Sequence, residues 1–260
     1  MIDDAELSRR VRRCLLAEAQ LWGSSNPDAQ VLTLGEVVAS LNPRAPDRSM
    51  FNWVVTPSVS ALLAVYDELA QRYAARGIRA WTVWGEPDDQ ELAQVLQQRG
   101  HTLDAQPRAM AAEIGALSLP QVGDLDWLET DDLSVIGAIN DQAYSFPPPA
   151  FGAALVGKLP SPWRAYVARS GSEPIGCVLV CESADGDCGV SGVATLPAAR
   201  GTGTASRLLA LALQQGAKRG AVTTTLQATS KGAPVYARLG YRDLGSLIMW
   251  EHRVPKPESA

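Results

Sequence analysis

The 260-residue chain has only two histidines and four cysteines. Cys14, Cys177, Cys181 and Cys188 form no Cys-x-x-Cys pair, so the spacing that builds zinc sites is missing and no metal centre is expected. With no such pair and no signal-peptide pattern, reduced thiols and a cytoplasmic setting are expected. No apolar run is long enough to cross a bilayer, so no membrane partner is expected. Positive charge is in deficit: 23 Lys and Arg against 28 Asp and Glu give a net charge of −5. That balance argues against nucleic acid and anionic membrane surfaces as partners and is weakly compatible with an amine-bearing substrate. No Gly-Lys-Ser/Thr closes a glycine-rich loop, which excludes a Walker A phosphate site.

What is present is a hydrophobic fraction of 46%, enough apolar material over this length for a substantial core or two domains. The most informative stretch runs from Gly192 to Ser206. It starts as the end of a buried strand over Cys188–Leu196, and Pro197, which has no amide proton for a ladder, stops it. Arg200-Gly201-Thr202-Gly203-Thr204-Ala205-Ser206 is a loop of glycine and hydroxyl residues. Arg207 to Leu213 then has helical composition, with Gly220 as a stop. Glycines let a ligand approach the backbone, and a helix start attracts anions. The expected ligand is a phosphate or pyrophosphate; the bland alternative is a surface loop between strand and helix.

A second stretch follows. Ala221–Gln227 reads as a strand by its β-branched residues. Thr229-Ser230 can start a helix, and Tyr236-Ala237-Arg238-Leu239-Gly240-Tyr241 comes after it. Together, Val193-Ala194-Thr195-Leu196-Pro197 before Arg-x-x-Gly-x-Ala, and Tyr-x-x-Leu-Gly-Tyr downstream, resemble the two signatures of the GNAT N-acetyltransferase superfamily. The resemblance covers roughly residues 115 to 253. It implies an α/β (α+β) fold of the GNAT acyl-CoA N-acyltransferase type, with a mixed, mostly antiparallel sheet flanked by helices. It implies acetyl-CoA as cosubstrate, held by Val193, Ala194, Thr195, Arg200, Gly201, Thr202, Gly203, Thr204, Ala205, Ser206 and Thr229. Tyr236 is implied as the general acid that protonates the leaving thiolate. One departure is Thr229, where the family often has Asn. The acceptor is implied to be a primary amine of a small molecule or peptide, and the chain leaves oligomerisation open. A non-catalytic acyl-CoA-binding module is the alternative, because Cys188 to Val193 carries no carboxylate and Asp187 stands only at its rim.

Residues 1 to 22 form an amphipathic helix with Val11, Leu15, Leu16 and Ala19 in its stripe. Arg9, Arg10, Arg12 and Arg13 form either a solvated face, which is favoured, or a phosphate-binding one. A short helix is expected at 34–41. Strands are expected at Phe51–Val55, Arg79–Trp84 and Arg108–Ile114. Helices are expected from Ser58 or Ser60 to Arg76 and from Asp88-Asp89 to Gln98. Aligning Arg76-Gly77 with Arg219-Gly220 lays Trp81–Trp84 on Thr224–Gln227 and Leu96 near Tyr236, and Met110–Glu113 resembles Met249–Glu251. This weak internal repeat predicts two tandem GNAT-like domains. Residues 1–114 form a degenerate one that does not bind CoA, since Ser60 replaces Gly203 and Leu96 replaces the tyrosine. Residues 115–260 form the catalytic one, with a first strand near 115–122 and a helix over Leu133–Ala143. Tyr144 and Phe146, before the proline run, are candidate substrate contacts or loop aromatics packed on the core. Cys177 and Cys181 share a face of the Ile175–Glu182 strand and are assigned to the core rather than to nucleophilic or metal chemistry.

Overall fold

The computed structural model describes residues 2–145 and 150–255. They fall into two compact units, one built on a six-stranded sheet and one on a seven-stranded sheet.

Helix α1 (Asp4–Trp22) opens the chain, with Asp4 and Glu6 in its first turn, where negative charge complements the helix dipole. Leu7, Val11, Cys14 and Leu15 form its buried stripe. The basic run is ion-paired: Arg9 and Arg10 reach Glu6 at 2.8 Å, and Arg13 reaches Asp185 at 2.7 Å. No free phosphate-binding face is built from those three.

Strands β1 (Gln30–Leu34) and β2 (Val37–Leu41) form an antiparallel hairpin. This corrects the expected helix over 34–41. Gly35, in the left-handed region at φ 54°, supplies a two-residue turn, and β-branched Val37 and Val38 favour the pleat over a helix. Then come β3 (Trp53–Val55), α2 (Val59–Ala75), β4 (Ala80–Gly85), α3 (Gln90–Gln98) and β5 (His101–Ala105). Ser58 Oγ caps α2 by accepting from Ala61 N at 3.1 Å. Asp89 caps α3 by accepting from Leu92 N at 2.9 Å. Each satisfies a backbone donor that the helix cannot.

The second half contributes β6 (Arg108–Glu113), β7 (Trp127–Thr130), α4 (Leu133–Tyr144), α5 (Phe151–Ala154), β8 (Trp163–Ser170), β9 (Glu173–Glu182), β10 (Asp187–Thr195), α6 (Thr204–Lys218), β11 (Thr223–Ala228), α7 (Ala233–Leu239), β12 (Arg242–Ser246) and β13 (Ile248–Arg253). The strand expected near 115–122 is absent; a 3-10 turn over Ile114–Ala116 leads to β7 instead.

The two sheets share a strand order. One reads β1-β2-β3-β4-β13-β5 and the other β7-β8-β9-β10-β11-β6-β12. Each has one parallel pair joined by a helical crossover, β3 with β4 through α2 and β10 with β11 through α6. The internal repeat is therefore a repeat of topology, and its closing strands are exchanged. β6 pairs with β11, Met110 opposite Leu226, while β13 pairs with β4, Met249 opposite Trp84. A division at 114/115 does not follow the compact units, which comprise residues 1–14 with 108–245, and 15–107 with 246–260. Burial explains the arrangement: Met110 and Ala112 lie in the core with Leu226, whereas Ile248 and Trp250 lie with Val83 and Leu96.

Candidate active site

The seven-stranded unit contains a gap. β10 and β11 pair only from Asp187/Thr223 to Val190/Leu226. Beyond that, β11 stays with β6 as far as Ala228, and β10 stays with β9 as far as Thr195, opposite Gly176. The two parallel strands therefore part after Val190. A bulge marks the place, since the β9–β10 register shifts between Ser191 and Ala194. Gly192 sits in the bulge at φ 57°, a conformation that side chains disfavour. Gly176 allows a second close approach: a Cβ there would lie 2.9 Å from the Ala194 carbonyl oxygen.

Past the bulge, a 3-10 turn over Pro197–Ala199 leads into the loop. Gly201 and Gly203 adopt φ 77° and 79°, and a Cβ at either would meet nothing within 4 Å. Their need for glycine is conformational, and the space above them is open. Thr202 braces the loop by donating to Ala199 O and sharing a hydrogen with Thr204 Oγ1, both at 2.8 Å. The first turn of α6 begins with Arg207 N donating to Gly203 O at 3.0 Å. No side chain caps this helix among the described residues. The amides of Thr204, Ala205 and Ser206 are the donors a helix leaves unpaired at its start, at the positive end of its dipole. Thr195 Oγ1 is buried with no partner among the described residues. Open glycines, unspent amides and that hydroxyl fit a pyrophosphate with a polar tail. The Arg200 guanidinium braces the loop, donating to Thr195 O at 3.3 Å and to Ala143 O.

Tyr236 projects from α7, which has Pro234 in its first turn and ends at Gly240, φ 102°. Its ring packs edge-on against Tyr241 at 5.6 Å. Burial, and secondarily the nearby Tyr144, pushes its phenol up to about 12, so it holds a proton throughout the neutral range. Tyr144, at the end of α4, is half-exposed and stacks on Phe151 at 6.1 Å. Its hydroxyl donates to Val193 O at 3.1 Å. Tyr144 and Tyr236 thus lie within electrostatic reach of each other, beside the bulge. Phe146 lies outside the described residues. Thr229 Oγ1 accepts from Gly232 N at 3.1 Å, so it shapes the turn before α7.

Two carboxylates border this region in sequence, and both are committed. Glu182 is gripped by Arg219 at 2.8 Å and faced by Arg164 at 3.4 Å; burial would raise it, yet these cations hold it below the usual range. Asp187 stands at the opposite end of β10 from the bulge, where it accepts from Thr223 and Thr225 at 2.6 Å each. Its burial raises it. None of the four cysteines forms a disulfide, and all are buried. Among the described residues no cluster of His, Cys, Asp and Glu is arranged to hold a metal.

Two residues at the bulge, Gly176 and Asn140, escaped the sequence reading, and Cys177 was assigned only to the core. Gly192 was the available signal, because a lone glycine inside a strand marks a bulge. Nothing in the spacing points from there to Cys177.

Residues 161–243 match the family model of an acetyltransferase (GNAT) domain. Solved structures extend the likeness over nearly the whole chain. A GCN5-related N-acetyltransferase from Kribbella flavida superposes with a TM-score of 0.65 and 23% identity, over 93% of this chain and 96% of that one. Another from Sphaerobacter thermophilus gives 0.55 and 17%, over 85% and 78%. A tandem GNAT protein from the clavulanic acid biosynthesis pathway gives 0.52 and 11%, over 96% and 97%. At these identities the likeness is one of fold. No curated protein matches the sequence.

Proposed function

We propose that this chain, whose residues 161–243 match an acetyltransferase (GNAT) domain, transfers an acetyl group from acetyl-CoA directly to a primary amine of a small molecule or peptide. The observation that carries this reading is the parting of β10 from β11 beside an uncapped, glycine-hinged helix start. Bound there, acetyl-CoA supplies an activated thioester carbonyl. The amides of Gly201 to Ser206 hold its pyrophosphate, and Val193, Ala194 and Thr195 line its pantetheine arm. A bulge amide stabilises negative charge as it develops on the carbonyl oxygen. The amine nitrogen bonds to the acyl carbon, the carbon–sulfur bond breaks, and Tyr236 gives its proton to the departing thiolate. With Glu182 and Asp187 committed, the amine loses its first proton to solvent; its second restores Tyr236. Alignment of the two reactants supplies much of the acceleration. Tyr144 and Phe146 are assigned to the acceptor, and Thr229 to the cofactor through its remaining hydroxyl capacity.

The six-stranded unit is assigned no acyl-CoA. Counted back from the helix end, Ser60 replaces Gly203, but at the helix start it is Ser58 that holds the N-cap place Gly203 has in α6; Leu96, fully buried, stands in place of Tyr236. Four cysteines without a disulfide favour the reducing cytoplasm, and no helix of the described residues is long and apolar enough to cross a membrane.

The commitment of both carboxylates favours one other reading, a non-catalytic acyl-CoA-binding module. Calorimetric titration with acetyl-CoA tests the shared premise: one site per chain is expected, and none overturns both readings. Thiol release with a panel of amines then separates them. Turnover of any amine supports the transferase, and binding with no turnover across the panel supports the module.

A further inference from the structure

Both carbonyls of the bulge are tied down, and by different elements. Cys177, on β9, is 3.4 Å from Gly192 O through its Sγ, as donor. The same sulfur accepts from Asn140 Nδ2 at 3.4 Å and from the backbone of Ala194. Asn140 is itself fixed on α4, donating to Ile136 O at 2.9 Å. The Val193 carbonyl accepts from Tyr144. Ser161–Pro162 is the one cis bond among the described residues, so the Gly192–Val193 peptide is trans and its N–H points opposite to its C=O. The carbonyl faces Cys177 on the β9 side. The Val193 amide therefore faces the other side, where β10 has parted from β11.

We propose that Cys177, seated by Asn140, is a positioning residue: its thiol proton anchors the Gly192 carbonyl and so aims the Val193 amide at the acyl oxygen, with Tyr144 holding the next carbonyl. This rests on the acetyl-CoA reading above. The role needs a thiol that keeps its hydrogen, and burial, the dominant influence on Cys177, pushes it up to about 12. It also accounts for a buried cysteine with three polar neighbours in the apolar middle of β9. A serine retains the donor at this position, while an alanine removes it and leaves the Gly192 carbonyl free to turn.

The test is isotope-edited infrared difference spectroscopy of [1-13C]acetyl-CoA bound to the full chain, which reads carbonyl polarisation without an acceptor. In the wild type, the thioester carbonyl band should move to lower frequency on binding. The proposal expects this shift to be lost in Cys177→Ala and regained in Cys177→Ser, with the Kd for desacetyl-CoA unchanged within about twofold in both. Tyr144→Phe, at a half-exposed position, keeps the test alive should the alanine variant fail to fold; part of the shift should disappear there. A full shift in a folded Cys177→Ala or Tyr144→Phe variant overturns the positioning role and leaves the transferase reading intact. No binding of acetyl-CoA by the wild type overturns that reading, and the positioning role with it.

Discussion

Tyr66 donates its hydroxyl to Nε2 of His101 at 2.7 Å. The direction follows from the other ring nitrogen, which lies 3.1 Å from the Trp250 carbonyl, a group that can only accept. Arg99 lies over the Tyr66 ring at 4.1 Å, and the His252 ring is 5.3 Å from that of His101. Burial, opposed in part by the Trp250 carbonyl, lowers His101 to about 4.

Acid stability follows from that imidazole. An unfolded chain takes up its proton near the ordinary value of 6.5, while the folded chain refuses it until about 4. The contribution is therefore complete above pH 6.5 and lost as pH falls toward 4, amounting to roughly 3 kcal/mol. Denaturant titrations across this range should show the decline, and His101→Gln should flatten it. A slope unchanged in the variant assigns the acid sensitivity to other groups.

Turnover should depend on the Tyr236 hydroxyl far more than binding does. Tyr236→Phe keeps the ring packed on Tyr241 and removes only the proton donor. We expect kcat to fall by about 10²- to 10⁴-fold, with the Kd for acetyl-CoA essentially unchanged. Steady-state rates beside calorimetry read both quantities, and full activity removes Tyr236 from the mechanism.

Ligand binding should depend on Gly203. Its φ of 79° disfavours any side chain, and Gly203→Glu adds a negative charge at the helix start. Wild-type protein at a ligand concentration about 100 times Kd should gain roughly 2.7 kcal/mol, seen as a rise of a few degrees in Tm. The variant should show no rise. An equal rise in both would move the site away from this loop.

A fragment of residues 115–260 should not fold. It lacks β6, so the edge of β11 is exposed and the place of fully buried Met110 is vacant. It also carries β13 without β4 to receive it. Circular dichroism and limited proteolysis should show an unstable, aggregation-prone chain, as expected for an unpaired strand edge. A cooperative melt from this fragment would show that the exchanged strand is dispensable.

Much of this was legible from local chemistry. The glycine loop, the caps at Ser58 and Asp89, and the strand–loop–helix order each depend on a few adjacent residues, and each appears where the chain places it. The hairpin at 30–41 was not legible as such, because Leu34, Val37, Val38 and Leu41 satisfy a helical spacing as well as a strand. The likeness of Met110–Glu113 to Met249–Glu251 correctly marked equivalent strands, but alternation says that a strand has two faces and not which sheet it joins. At the candidate site, Gly201, Gly203 and Tyr236 are carried by motifs. Cys177 is not, because its place opposite the bulge depends on a register between β9 and β10 that forms only on folding.

The exchange of β6 and β13 bears on how such a chain can evolve. Losing either half would leave an open seam in the sheet of the other. Selection on the half with the glycine loop therefore preserves the backbone of its companion as well, while the positions that would meet a ligand in that companion are free to drift. On the proposed reading, the caps at Ser58 and Asp89 serve the strand order, and nothing holds Leu96 to a tyrosine.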